Sequence, residues 1–241
     1  MQFGNKLIIK ILLFLRDLLF PVSCLGCQQE GSWLCQQCCD SISLNFDLRC
    51  PGCGQFCFFG QKCNNCFSQS SLDGLWTVSL YTDELLKKTI HFYKYQGLKD
   101  LALPLGQLMI NYLNQIRQEM KDKWPKIDII TSVPLHKRKF LHRGFNQTEI
   151  LAQQVSDHFG WTYQDCISRK KFTLSQTKLT KKTRQENVSG VFAIKDKINY
   201  QGKTVIIIDD VVTTGATLQE CAKVLKQAGV KKVWGLAIAQ D

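Results

Sequence analysis

The sequence predicts an α/β protein, a mainly parallel sheet with helices on both faces, preceded by a small cysteine-rich module. Three observations lead there. Strand-like and helix-like segments alternate from about residue 75 onward, which calls for crossover helices and hence parallel strands. A short apolar run, Val205-Ile206-Ile207-Ile208, ends in two adjacent carboxylates and a small-residue loop. Ten of the twelve cysteines fall between Cys24 and Cys66, which sets residues 1–70 apart from a cysteine-poor body at 71–241.

With 44% hydrophobic and 21% charged residues, the 241-residue chain has the composition of one or two globular domains. The opening stretch from Leu7 to Phe20 is apolar but is interrupted by Lys10, Arg16 and Asp17. It falls short of the ~20 apolar residues of a membrane span. No small-residue cleavage site follows it, so a helix packed on the body is expected, and the chain is expected to be cytoplasmic.

The cysteines follow as Cys24-x2-Cys27, Cys35-x2-Cys38, Cys50-x2-Cys53 and Cys63-x2-Cys66. Two-residue spacing turns two thiolates to one side of a tight turn, and two such turns complete a tetrahedron around zinc. Sequential pairing into two sites is the simplest arrangement. An interleaved one, substitution by Cys39 or Cys57, or a single filled site stay open at this level. With four protein ligands each, the sites would be structural rather than catalytic, and a module this small would draw much of its folding free energy from the metal.

Downstream, a strand is expected at Leu75–Tyr81. Helical spacing then links Leu85, Leu86, Thr89, Ile90 and Tyr93, and a second helix covers about 101–120. Strand 127–133 leads into a basic cluster, His136-Lys137-Arg138-Lys139-Phe140-Leu141-His142-Arg143, read as a loop. Asn146-Gln147-Thr148-Glu149 has the form of an N-cap with a returning carboxylate, opening a helix over 146–159. A second basic segment, Arg169 to Asn187, is polar enough for a mobile lid or a nucleic-acid contact. Between His136 and Arg184 stand eleven Lys or Arg residues against Glu149, Asp157 and Asp165, a local charge of +8. Strands near 191–194 and 204–208, a helix over 216–228 and a last strand over 232–239 complete the body. No internal repeat is evident. The sequence stops at Asp241, just after that strand, so a hood over any acceptor is expected from the N-terminal half or from another subunit.

The segment Asp209-Asp210-Val211-Val212-Thr213-Thr214-Gly215-Ala216-Thr217 carries the chemistry. Backbone N–H groups and hydroxyls at a helix N-terminus form an anion site, Gly215 allows close approach, and two carboxylates before it can accept hydrogen bonds from a sugar diol. One strand-loop-helix unit can therefore grip both ends of a ribose 5-phosphate.

This segment resembles the phosphoribosyl-pyrophosphate (PRPP) motif of type I phosphoribosyltransferases. Further matches are Lys94-Tyr95-Gln96-Gly97, Pro134-Leu135-His136, Arg143-Gly144-Phe145-Asn146-Gln147 and Gln176-x2-Leu179-x4-Arg184-x2-Asn187. With the cysteine quartets, they make the whole chain resemble the ComF family, which joins a zinc ribbon to a type I phosphoribosyltransferase-like domain. The resemblance implies PRPP or another ribose 5-phosphate as ligand, with Mg2+ arriving alongside it and zinc in the ribbons. It implies that Asp209 and Asp210 hold the ribose hydroxyls and are the catalytic pair if transfer occurs, and that the stretch through Thr217 cradles the phosphate. Lys137, Arg138, Arg143 and Arg184 become candidate contacts for pyrophosphate or DNA. It further implies a role in DNA uptake during natural transformation, with single-stranded DNA and the helicase or channel proteins of the uptake machinery as candidate partners.

Overall fold

The computed structural model describes residues 21–171, 188–195 and 199–241. The expected N-terminal helix, most of the second basic segment and Arg184 lie outside the described residues. Among the described residues, no helix is long and apolar enough to cross a membrane.

The body is the α/β sheet that the alternation predicts. Strands β1 (Gly74–Leu80), β2 (Ile129–Ser132), β3 (Thr162–Tyr163), β6 (Thr204–Val212) and β7 (Lys232–Gln240) form a five-stranded parallel sheet in the order β1-β7-β6-β2-β3. A two-stranded antiparallel pair, β4 (Ile167–Arg169) and β5 (Phe192–Ile194), stands beside it. After the short α1 (Gln36–Asp40) of the cysteine-rich segment, helices α2 (Glu84–Tyr95), α3 (Ala102–Met120) and α5 (Gln147–Phe159) cover one face, and α6 (Ala216–Gln227) covers the other.

The apolar run of β6 shows why both faces are dry. Ile206 and Ile208 enter the core with Leu105, Met109, Leu113 and Leu151, whereas Val205 and Ile207 enter the opposite core with Leu218, Ala222 and Leu225. Strand periodicity of two makes an unbroken apolar run mean burial on both sides. The first core continues into the cysteine-rich segment through Leu25, Leu34 and Ile42.

Four local expectations change. The strand expected over 204–208 continues to Val212, because the two aspartates pair along β7 with Asp209 opposite Ala237 and Val211 opposite Ala239. The basic cluster is a short helix, α4 (Lys137–Arg143), rather than a loop; His136 caps it by accepting the Arg138 N–H at 3.2 Å. The capping box at Asn146 does not form: Asn146 makes no side-chain cap bond. Instead Thr148 Oγ1 donates to the Val133 carbonyl at 2.8 Å, tying α5 to the end of β2. Finally, the cysteine region repeats itself. Bridges Ser23–Glu30 and Arg49–Phe56 frame Cys24 and Cys50 identically, and each cysteine N–H donates to the carbonyl five residues on, at 2.8 Å in both. The repeat is one of backbone and sulfur geometry, with Gly26 and Gly52 at matching places; the other residues between the paired cysteines differ.

Candidate ligand cleft and metal centres

Strand β6 delivers Asp209 and Asp210 to the C-terminal edge of the sheet, where open α/β sheets bind ligands. Asp210 forms an ion pair with Lys94, in the last turn of α2, at 2.9 Å. The Asp210 N–H donates to Asp209 at 2.8 Å and the Val211 N–H to Asp210 at 2.7 Å, so each carboxylate is anchored by the amide that follows it. Burial first, and the Asp210 charge second, push the Asp209 carboxyl up to about 7, against the opposing pull of its amide bond, Lys94 and Arg169. A carboxyl poised near neutrality can shed its proton when a ligand brings compensating charge.

Thr213, Thr214 and Gly215 connect β6 to α6. Gly215 has φ of +73°, yet a Cβ there would meet nothing within 4 Å, so it is the left-handed backbone rather than crowding that calls for glycine. Thr214 Oγ1 accepts the Ala216 N–H at 3.4 Å. The loop encloses a small hollow lined by Val212, Thr213, Gly215, Ala216 and Thr217, with Asp209 at its rim. The positive end of the α6 dipole adds to the attraction for an anion there.

Beside this hollow opens a cleft of about 280 Å3, with Asp209, Asp210, Thr213 and Thr217 on one side. Tyr81, Lys94 and Tyr95 come from the N-terminal half, Lys139 and Arg143 from α4, and Arg169 from β4. Arg143 lies 5.1 Å from the centre of the Tyr95 ring and donates to Gln147 at 3.1 Å. Burial, reinforced by Arg169, Arg143 and Lys94, lowers the Lys139 ammonium pKa against the pull of Asp210. Cations crowded closely enough to disfavour one another make a site that welcomes a polyanion.

The cysteines form two clusters, Cys24-Cys27-Cys35-Cys38 and Cys50-Cys53-Cys63-Cys66, each with its sulfurs within 4.8 Å of one another. The pairing is therefore sequential. Cys39 is turned away toward the Pro104 carbonyl and Cys57 toward that of Gln61, so neither substitutes for a ligand. The donor set suits zinc. Cys24 and Cys50 each accept a backbone N–H at 3.3 Å, from Cys35 and Cys63. Burial alone would raise both thiols, but these bonds and those from the turn amides bring each down to about 6. The turns are also closed tightly around the sulfurs: a Cβ on Gly26 would lie 2.7 Å from Cys38 Sγ, and one on Gly52 would lie 2.7 Å from Cys66 Cβ. Each cluster can hold one tetrahedral Zn2+ with no open position.

A family profile described as phosphoribosyl transferase domain matches residues 146–239. Over 230 residues the chain is 30% identical to Competence protein F of Haemophilus influenzae, covering 91% of this chain and 98% of that protein. The chain belongs to the ComF family. It is also 31% identical over 213 residues to DNA utilization protein YhgH of Escherichia coli, covering 86% of this chain and 91% of that protein. To Competence protein ComFC of Streptococcus pneumoniae it is 26% identical over 209 residues, covering 86% and 87%.

In this ComF-family chain the fold brings Asp209, Asp210, Thr213, Thr217 and Arg143 to one cleft, while Lys137 and Arg138 stay exposed on α4 outside it. Lys94, Lys139 and Arg169 are cleft cations that the sequence reading noted only within a family match or a basic segment, and not as individual contacts. Lys94 lies just past the buried face of α2, and Arg169 stands 40 residues from Asp209 in sequence; neither match nor charge run shows that they face the two carboxylates. The second ribbon also grips the ligand unit. Gln219, one turn into α6, donates to the Pro51 carbonyl at 3.1 Å and to Ser70 Oγ at 2.8 Å, and accepts the Ser71 N–H at 2.9 Å.

Proposed function

We propose that this ComF-family protein binds PRPP in the cleft, acts in DNA uptake on the cytoplasmic side of the membrane, and has single-stranded DNA as a second ligand carried outside the cleft. The observation that supports the reading best is the juxtaposition of Asp209 and Asp210, the Thr213–Gly215 anion loop and the cations Lys94, Lys139, Arg143 and Arg169 around one opening. In that reading the loop holds the 5-phosphate, the two aspartates accept the ribose hydroxyls, and the cations hold the pyrophosphate. Asp209 and Asp210, with oxygen donors suited to a hard cation, would stand beside Mg2+ delivered with the ligand; the ion would offset charge on the departing pyrophosphate. Were an acceptor to displace pyrophosphate at the anomeric carbon, this site would contribute position and electrostatics, with Lys139 and Arg143 receiving the leaving charge. The names of the relatives, two competence proteins and a DNA utilization protein, supply the setting. We place the division between the zinc module and the ligand-binding domain at about residue 70.

Isothermal titration of PRPP with Mg2+ into the zinc-loaded protein tests the cleft. Saturable binding that the Asp209→Ala, Asp210→Ala variant lacks would support the reading, and heat identical in both proteins would sink it. A second reading, a PRPP-sensing adaptor, is favoured by Gln219, which ties the helix behind the phosphate loop to the second ribbon. Loss of a protein partner on ribbon truncation, with PRPP binding intact, would select it.

A further inference from the structure

In a parallel sheet all strands begin at the same edge, here the edge opposite the PRPP cleft. That edge is basic. Lys126 precedes β2, Lys203 precedes β6, and Lys231 and Lys232 open β7, while Lys121 and Lys123 lie at the end of α3 beside them. All six side chains are exposed, against Asp122 and Asp128 nearby. Lys203 reaches Asp128 at 4.0 Å; the other five make no ion pair among the described residues. Lysines at helix C-termini complement the dipole in any α/β protein, but that does not account for those that precede β2, β6 and β7.

Aromatic rings stand beside these lysines. On the second ribbon Phe56 and Phe58 are 64% and 78% exposed and touch edge to face at 6.1 Å between centroids. Phe58 meets Phe59 at 6.4 Å, and the Lys123 ammonium stands over Phe59 at 5.8 Å. Trp124, next in sequence, is half-buried and stacked on Trp76 at 5.1 Å and on Trp161 at 6.5 Å, so it backs this surface rather than opening onto it. Resting on the single-stranded DNA reading above, we infer that this edge is where the strand lies, from the Phe56–Phe58 pair across the lysines that precede β2, β6 and β7. Two exposed rings at one end of a row of ammonium groups suit unpaired bases and phosphates: any base stacks on a ring, and each lysine replaces a condensed counterion. Duplex DNA hides its base faces, and lysine is depleted at protein–protein interfaces, so neither fits as well. Because the two sites occupy opposite ends of the strands, PRPP and DNA bind together rather than in competition.

The test is fluorescence anisotropy of a labelled oligothymidylate with the full zinc-loaded chain, across salt concentrations. The Lys121→Gln, Lys123→Gln, Lys126→Gln variant should weaken binding about tenfold to a hundredfold and flatten the slope of log affinity on log salt by about 2. Phe58→Ala should weaken it about fivefold or more with the slope unchanged. Both variants should keep the parent's unfolding temperature and PRPP affinity. If the parent binds DNA and only Lys137→Gln, Arg138→Gln loses it, or if PRPP displaces the strand, the edge is the wrong surface and the DNA reading survives. If the parent binds no oligonucleotide at any salt, or is captured only by anionic vesicles, the DNA reading falls and this inference with it.

Discussion

Burial and the Asp210 charge hold the Asp209 carboxyl well above the usual carboxylate range, and this gives it a marked dependence on pH. Its carboxyl is raised to about 7 in the folded chain, against an ordinary 3.8. The stability it contributes is therefore present below about pH 4 and is lost as pH rises through about 7. Asp209→Asn, which keeps the acceptor oxygen for the Asp210 amide, should raise the unfolding temperature of the ligand-free protein at pH 7 to 8. That advantage should vanish below about pH 4 in thermal melts. Ligand binding runs the other way, because the diol and accompanying cation favour the carboxylate; PRPP affinity should climb with pH through about 7. Calorimetry in two buffers of different ionisation enthalpy should detect the proton released. Asp210→Ala leaves Lys94 without its partner and removes a diol acceptor, and should cost about 2–5 kcal/mol in PRPP binding by the same method. Of these residues, Asp209 and Asp210 are legible in sequence because a short motif holds them together. Their facing of Lys94 and Arg169 is not, since only tertiary packing brings α2 and β4 to the end of β6.

At the scale of elements, α6 is fastened from two directions. Its inner face packs Leu218, Cys221, Ala222 and Leu225 against the sheet, and Gln219 bonds to Pro51, Ser70 and Ser71 in the second ribbon. Gln219→Ala should lower stability by about 1–3 kcal/mol in denaturant titration. It should also weaken PRPP binding, because the phosphate loop is the N-terminal end of that helix. An unchanged affinity would mean the ribbon steadies the fold without reaching the site. The sequence marks α6, α3 and the apolar half of β6 well, since long periodic patterns carry their own signal. It marks poorly whatever depends on a distant partner. β6 runs through its two aspartates only because β7 offers Ala237 and Ala239 opposite, and Asn146 loses its capping role because its side chain is engaged by the Val133 carbonyl and the Thr148 hydroxyl. The basic cluster folds as α4 because His136 and Gly144 terminate it, a pairing easily overlooked beneath so much charge.

For the whole molecule, the two cysteine clusters should bind one zinc each, giving about two ions per chain by elemental analysis. Cys24→Ser and Cys50→Ser should each lose one ion and retain the other. Both variants should melt earlier than the parent, yet Cys50→Ser alone should also weaken PRPP binding, since among the described residues only the second ribbon is hydrogen-bonded to α6. Equal losses of affinity would show that both ribbons act simply through global stability. By itself the sequence determined the α/β class, the x2 spacing that makes thiolate turns and the adjacency of two carboxylates to an anion loop. All three are written within short spans, where backbone geometry alone sets which groups meet. The tertiary structure decided which cations face those carboxylates, that the quartets pair sequentially and that a ribbon grips the helix behind the loop. It also set the aromatic and lysine residues along the opposite edge of the sheet. Each of these joins residues far apart in the chain, and such contacts exist only once strand order and packing have closed the distance.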